Sequence, residues 1–404
     1  MSRQFRGEHL PDWVLEPNYE HEVIPVGYVF QKSKVVPGPS ESEQYQRLSL
    51  TMNGVLPRSR EATDGLQPEN FDGYQLIKPG QLIFKLIDLQ NVSTSRVGLS
   101  EDLGLVSPAY IALTADRRVL PKYAYWYFMD LYNRRIFNNL SEGGVRANLS
   151  WEGLRQLSFV LPPIERQRRI VEFLDAELGR IDTLQTGLQR LADLVEERRL
   201  ARLTSSFSSF DAAEKLKLKW ILKKRSDEAT PGSGTVTAFR DGQVTLRELR
   251  REDGYTFSET EDGYQSVHEG DLVFHGLDGF AGAIGIAEKD GNCSPVYHVC
   301  SLRNPDYDLT FIAEYLRYLG LAGYLATEAP NVRQRSVDFR NWDRFANLLL
   351  PFPRLEEQRR IIASLSADLE QDESFVQQVT QMQDLLKERR SALITAAVTG
   401  ELEV

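Results

Sequence analysis

Two short polar stretches carry side chains of the kind that read base edges: GGVRANLS at 143–150 and NVRQRSVD at 331–338. The guanidinium of Arg146, Arg333 or Arg335 can pair bidentately with guanine, and the carboxamide of Asn148 or Gln334 with adenine. The same residue types more often grip a phosphate or fill a plain surface turn. Their chemistry therefore depends on what positions them. Val-Arg falls at 145–146 and again at 332–333, the first sign that both stretches are positioned in the same way.

Other chemistry is scarce. The chain has no GxxxxGK[ST] phosphate loop, and His9, His21, His268, His275 and His298 show no metal-ligand spacing. Cys293 and Cys300 are too few for a disulfide framework and suit reduced, partly buried thiols. GLDGFAGAIG (276–285) followed by NPDY (304–307) resembles the cofactor and target-base motifs of adenine methyltransferases. The match departs at Asp306, where the second motif has Pro, and the two stretches lie too close for a full cofactor-binding α/β layer. Glycines so spaced more often serve tight turns and close backbone approach. The chain reads as a binder.

Self-similarity explains the doubled Val-Arg. Asp72-Gly73-Tyr74-Gln75 recurs as Asp262-Gly263-Tyr264-Gln265, and Gly80-Gln81-Leu82-Ile83-Phe84 as Gly270-Asp271-Leu272-Val273-Phe274, both 190 residues on (72 to 262, 80 to 270). Ser107-Pro108-Ala109-Tyr110 matches Ser294-Pro295-Val296-Tyr297. Finally LPPIERQRRI (161–170) returns as LPFPRLEEQRRI (350–361). Matches in one order at nearly constant offset mark a tandem duplication. Each copy opens with short strands broken by turns, then a helical patch around YAYWYFMDLYNRRIF or FIAEYLRYLGLAGYL. That pattern predicts a compact α+β module.

Each copy ends in a long helix. Pro162, Pro163 and Pro353 suit a helix N-terminus, and Glu165, Glu356 and Glu357 favour the positive end of its dipole. Leu174, Leu178, Ile181, Leu184, Leu188, Leu191 and Val195 recur at three or four residues, and Ile362, Leu365, Leu369, Val376, Val379, Leu386 and Leu393 at three, four or seven. Such stripes with charged flanks predict a coiled-coil seam, in which Gln185, Asp372 and Gln383 would fix register. Roughly 35–40 helical residues make a rod of about 50–60 Å. The expected architecture is two similar globular α+β domains joined by two long antiparallel coiled-coil helices, a tandem repeat with pseudo-twofold symmetry. The expected divisions are 1–160, 161–207, 208–352 and 353–404.

Composition bounds the partners. A chain of 404 residues with 41% hydrophobic content is foldable and large enough for several domains. No apolar run is long enough to span a membrane, and the first residues lack a secretory signal, so a cytoplasmic protein is expected. A net charge of −10 disfavours a surface wrapped whole in nucleic acid, although a groove needs only local positive charge. KLKLKWILKKR (215–225) is such a cluster, as are Arg247, Arg250 and Arg251. A solvated charged face is the plainer reading of each.

These motifs together resemble the specificity (S) subunit of Type I restriction–modification systems. In that family two target-recognition domains are separated by two long helices, each introduced by a Leu-Pro-Pro-Leu-x-Glu-Gln-x-x-Ile-like motif. Here it stands as Leu161-Pro162-Pro163-Ile164-Glu165-Arg166-Gln167-Arg168-Arg169-Ile170, with Arg166 for the usual Glu, and as Pro353-Arg354-Leu355-Glu356-Glu357-Gln358-Arg359-Arg360-Ile361. FKLIDLQNVSTSRVGLSEDLGLVSPAYIAL, EGGVRANLSWEGLRQLSFVLPP and the ending RRSALITAAVTGELEV are also similar to the family. The resemblance implies a non-catalytic chain that reads double-stranded DNA, each domain taking one half of an asymmetric bipartite target. The candidate DNA-binding set is Arg146, Asn148, Arg333, Gln334, Arg335, Lys85, Gln90, Asn91 and His275. The candidate partner and helix interface is Leu174, Leu178, Ile181, Leu188, Leu191, Ile362, Leu365, Leu369, Val376, Val379 and Leu386. The helices would set the spacer and dock two adenine methyltransferase (M) subunits, and restriction (R) subunits would join. The resemblance puts S-adenosylmethionine, ATP and magnesium on those partners and no cofactor or metal on this chain. The competing readings are a coiled-coil interaction protein with non-DNA modules and a self-sufficient adenine methyltransferase.

Overall fold

The computed structural model describes residues 20–52, 54–59, 71, 73–87, 89, 95–139, 148–208, 214–250, 263–328 and 338–403. The chain divides into two units, residues 1–188 with 381–404, and residues 189–380.

The first unit is built on strands β1 (Glu22–Pro25), β2 (Phe30–Ser33), β3 (Arg47–Thr51), β4 (Gly54–Arg58), β5 (Gln75–Ile77), β6 (Leu82–Phe84), β7 (Val97–Leu99), β8 (Gly104–Val106), β9 (Ile111–Ala115) and β10 (Ser158–Leu161). An antiparallel ribbon joins β1 to β10, and an antiparallel sheet runs β2-β9-β6-β7. A second sheet runs β4-β3-β8-β5. Helix α1 (Pro121–Asn133) starts with proline in its first turn, where a missing N–H costs nothing. Its Tyr123, Ala124, Tyr127, Phe128 and Leu131 recur at helical spacing and are buried. Phe128 meets Phe30 and Phe84 edge-on, at ring centroids 5.6 and 5.0 Å apart. Each buried aromatic of this core stabilises the unit by about 1.5–3 kcal/mol through area removed from water.

The second unit repeats the plan strand for strand. Its strands are β11 (Glu214–Lys217), β12 (Leu222–Lys224), β13 (Val236–Ala238), β14 (Val244–Leu246), β15 (Gln265–Val267), β16 (Leu272–His275), β17 (Ile284–Ile286), β18 (Gly291–Cys293), β19 (Tyr297–Leu302) and β20 (Leu349–Phe352). β11 pairs with β20 as β1 pairs with β10, and β12-β19-β16-β17 matches β2-β9-β6-β7. The pairs β13-β14 and β15-β18 match β3-β4 and β5-β8. The repeated phrases serve repeated turns: Gly80 and Gly270 have φ of 83° and 87°, a left-handed conformation that favours glycine. One position later, Gln81 and Asp271 accept the backbone N–H of Lys78 and His268.

Two long helices contribute to both units. Ahead of β11 comes α2 (Ile164–Phe207, 44 residues); after β19 come α3 (Leu309–Leu321) and then α4 (Leu355–Thr399, 45 residues). Both long helices exceed the expected 35–40 residues. The polar last turns of α2 are held because Leu203 and Phe207 are buried among Phe311, Tyr315 and Leu316 of the second unit. In the first unit Ile394, Ala397 and Val398 of α4 pack into the core with Ile170, Leu174, Leu178 and Ile181 of α2.

Candidate nucleic-acid interface and helix pair

The duplicated motif before each long helix places one glutamine where water cannot reach it. Gln167 and Gln358 are both 0% exposed. The Gln167 amide accepts from the backbone N–H of Leu120 (2.8 Å) and donates to the carbonyls of Arg118 and Pro162 (2.8 Å each). Gln358 accepts from Asp308 N–H (2.9 Å) and donates to the Pro353 carbonyl (2.8 Å). Leu120 and Asp308 are the N-cap residues of α1 and α3. One side chain thus ties the start of a long helix to the start of the module's main helix, satisfying polar groups that burial would otherwise leave unpaired.

Within the second unit the helix pair is antiparallel. Asp372 of α4, fully buried, receives Arg198 and, at 3.0 Å, Arg202 of α2; Arg202 also meets Asp368 at 3.4 Å. Moving four residues up α2 moves the contact four residues down α4. In the first unit Arg390 of α4 bonds Asp182 of α2. A buried carboxylate shared by two guanidiniums tolerates no sliding, which makes it a register device.

The candidate interface residues divide by burial. Leu174, Leu178, Ile181, Leu188, Leu365 and Val379 are buried, and Ile362, Leu369, Val376 and Leu386 are half-buried. Leu191, expected in the helix seam, lies outside it: it is 44% exposed, as Leu184 is at 56%. The column between Ile181, Leu188 and Val195 is filled instead by half-buried Gln185 and Ala192. One residue is about 100° around a helix, so a leucine one position early points out of the seam.

Among the candidate DNA contacts, Arg146, Arg333, Gln334, Arg335, Gln90 and Asn91 lie outside the described residues. Lys85 and Asn148 are brought side by side, because Leu149 N–H donates to the Leu86 carbonyl at 2.9 Å. The second unit does the same with His275 and Asp338, through Phe339 N–H to the Gly276 carbonyl at 2.8 Å. The platform is common and its side chains differ. His275 Nδ1 accepts from Leu277 and Asp278 N–H at 3.2 and 2.9 Å, so its proton sits on Nε2. Burial holds its pKa below the usual histidine value. Asp338 is held down at about 2 by the hydrogen bonds of exposed Arg340, a cation at this edge that sequence spacing did not single out.

No family model matches the chain. It is 22% identical to the Escherichia coli Type I restriction enzyme EcoBI specificity subunit, over 68% of this chain and 66% of that relative's length. Among solved structures, a chain from a type I R-M system, studied for its complex assembly and conformational transition, superposes with a TM-score of 0.67 at 15% identity. That superposition covers 98% of this chain and all of the other. The chain shares the fold of that type I R-M chain. The HsdS subunit from Thermoanaerobacter tengcongensis also matches, at 16% identity over 96% of this chain and 98% of that one, with a TM-score of 0.49.

Within this fold, the glycine-rich stretch that resembles a methyltransferase motif has a packing role. A Cβ on Gly279 would lie 2.6 Å from the Phe274 ring, and one on Gly285 would lie 2.0 Å from the Gly242 carbonyl. Gly282 has φ of 93°. In NPDY, Asn304 accepts from Asp306 N–H at 2.9 Å, and Asp308 then caps α3 by accepting from Phe311 N–H. Among the described residues no His, Cys, Asp or Glu group could hold a metal ion, and no helix is long and apolar enough to cross a membrane. Burial pushes the Cys293 thiol up to about 12, which makes it unreactive.

Proposed function

We propose that this chain is the DNA sequence-specificity subunit of a Type I restriction–modification complex. It is a non-catalytic recognition chain in which each unit reads one half of an asymmetric bipartite target. The observation that carries this reading is the pair of equivalent platforms: Lys85 beside Asn148 in one unit, His275 beside Asp338 in the other. One scaffold built twice with different edges suits a target whose two halves differ in sequence.

The two long helices set the gap between the half-sites and dock two M subunits, and R subunits complete the assembly. Those partners supply S-adenosylmethionine, ATP and magnesium. The test is a genome-wide map of N6-methyladenine in cells expressing this chain with its M subunit, or either alone. A two-part motif with a fixed gap, appearing only when both are present, is the expected result. Methylation by this chain alone, or none from a soluble complex, would reject the reading.

A further inference from the structure

The second unit carries a basic strip that its counterpart lacks. Lys215 and Lys217 on β11, Lys219 in the turn after it, Lys223 on β12 and Arg303 after β19 are all exposed. Arg303 N–H donates to the Ile221 carbonyl at 2.7 Å, which brings it to the same edge. Among the described residues none of the five has a carboxylate within ion-pair distance. Trp220 stands among them, 62% exposed.

Register shows what stands at the matching places in the first unit. Glu22 pairs with Leu161 as Glu214 pairs with Phe352, and Phe30 with Ala115 as Leu222 with Leu302. The counterparts of the five cations are therefore Val23, Pro25, Gly27, Gln31 and Asp116, none of them basic. The aromatic alone is kept, as Tyr28, 64% exposed. Lysines on outer strands commonly prevent edge-to-edge association. The matching outer strands of the first unit carry only Pro25 and Lys32, the counterpart of Lys224, in that role, so edge protection does not call for five further cations.

We propose that this strip is a phosphate-binding ridge for the duplex flanking the half-site read by the second unit. The inference rests on the DNA-recognition reading above. Lys215 and Lys217 alternate on one face of a strand, about 6.6 Å apart, with long stems that can follow successive phosphates. Trp220 offers a flat apolar surface to the sugars between them. In a chain of net charge −10 such a local cluster supplies the attraction that the surface as a whole does not.

The test uses the full chain assembled with its M subunit and a duplex bearing the mapped motif. Affinity is measured against salt for the parent and for Lys215→Gln/Lys217→Gln/Lys219→Gln/Lys223→Gln. Loss of four phosphate contacts should flatten the log–log slope by about 3.6, so the affinity lost between 50 and 200 mM salt shrinks about 100-fold. The methylated motif should be unchanged, and matched and mismatched duplexes should weaken equally. Trimming the parent's duplex from one flank, and not from the other, should flatten the slope in the same way. This second arm needs no variant to fold.

An unchanged slope in both arms overturns the proposal. So does loss of M-subunit binding with the slope intact, which would assign the strip to an acidic protein surface. A parent complex that methylates no bipartite motif would remove the recognition reading itself, a result distinct from either.

Discussion

Replacing Gln167 tests whether the duplicated motif is a structural clamp. In Gln167→Leu the N–H of Leu120 and the carbonyls of Arg118 and Pro162 lose their partner. The side chain is 0% exposed, so water does not replace it without opening the junction. Each orphaned buried group costs about 1–3 kcal/mol, partly offset by the apolar leucine, for a net loss of about 2–4 kcal/mol. Gln358→Leu orphans two groups and should cost about two thirds as much. Gln167→Glu is the sharper control. It keeps an acceptor for Leu120 but turns negative oxygen on two carbonyls, and should destabilise more than leucine does. Thermal unfolding followed by circular dichroism should show the first-unit transition lowered by about 4–16 °C for Gln167→Leu. A neutral Gln167→Leu, or a glutamate better tolerated than leucine, would refute the clamp.

Leu191→Ser should change stability by less than about 0.5 kcal/mol, while Leu188→Ala should cost about 2–5 kcal/mol in denaturant titrations. Asp372→Asn should cost about 1–3 kcal/mol, because both arginines keep some solvent access, and replacing Asp372, Arg198 and Arg202 together by apolar residues should recover most of that loss. The His275 pKa is depressed by burial, so the unfolded chain binds this proton first as pH falls. Its contribution to stability is complete above the unfolded value of about 6.5 and is lost as pH drops below it. The unfolding midpoint of the second unit should therefore fall between pH 7 and 5, and fall less in His275→Asn. Asn148→Ala should alter one half of the methylated motif and leave the other half intact, as read by methylation mapping.

Much of this architecture was legible before any coordinates. The duplication appears in the strand pairings because local phrases such as Gly80-Gln81 and Gly270-Asp271 encode local turns, whose donors and acceptors lie three residues apart. The long helices were legible because a stripe at helical spacing survives in any tertiary context, and Asp372 stood out in it as a polar intrusion.

What the sequence by itself determined is therefore the two-copy plan, the helices and the turn chemistry, all set by interactions between near neighbours. Only the tertiary structure decided that Leu184 and Leu191 leave the seam to Ala192 and to Gln185, the latter expected there as a polar intrusion. A partner helix selects one column, and hydrophobicity alone cannot resolve a rotation of about 100°. It also decided the task of Gln167 and Gln358. Their partners Leu120 and Asp308 lie 47 and 50 residues away in the chain. A side chain whose partner is a distant backbone group leaves no spacing to read, because the contact exists only once the fold has closed around it.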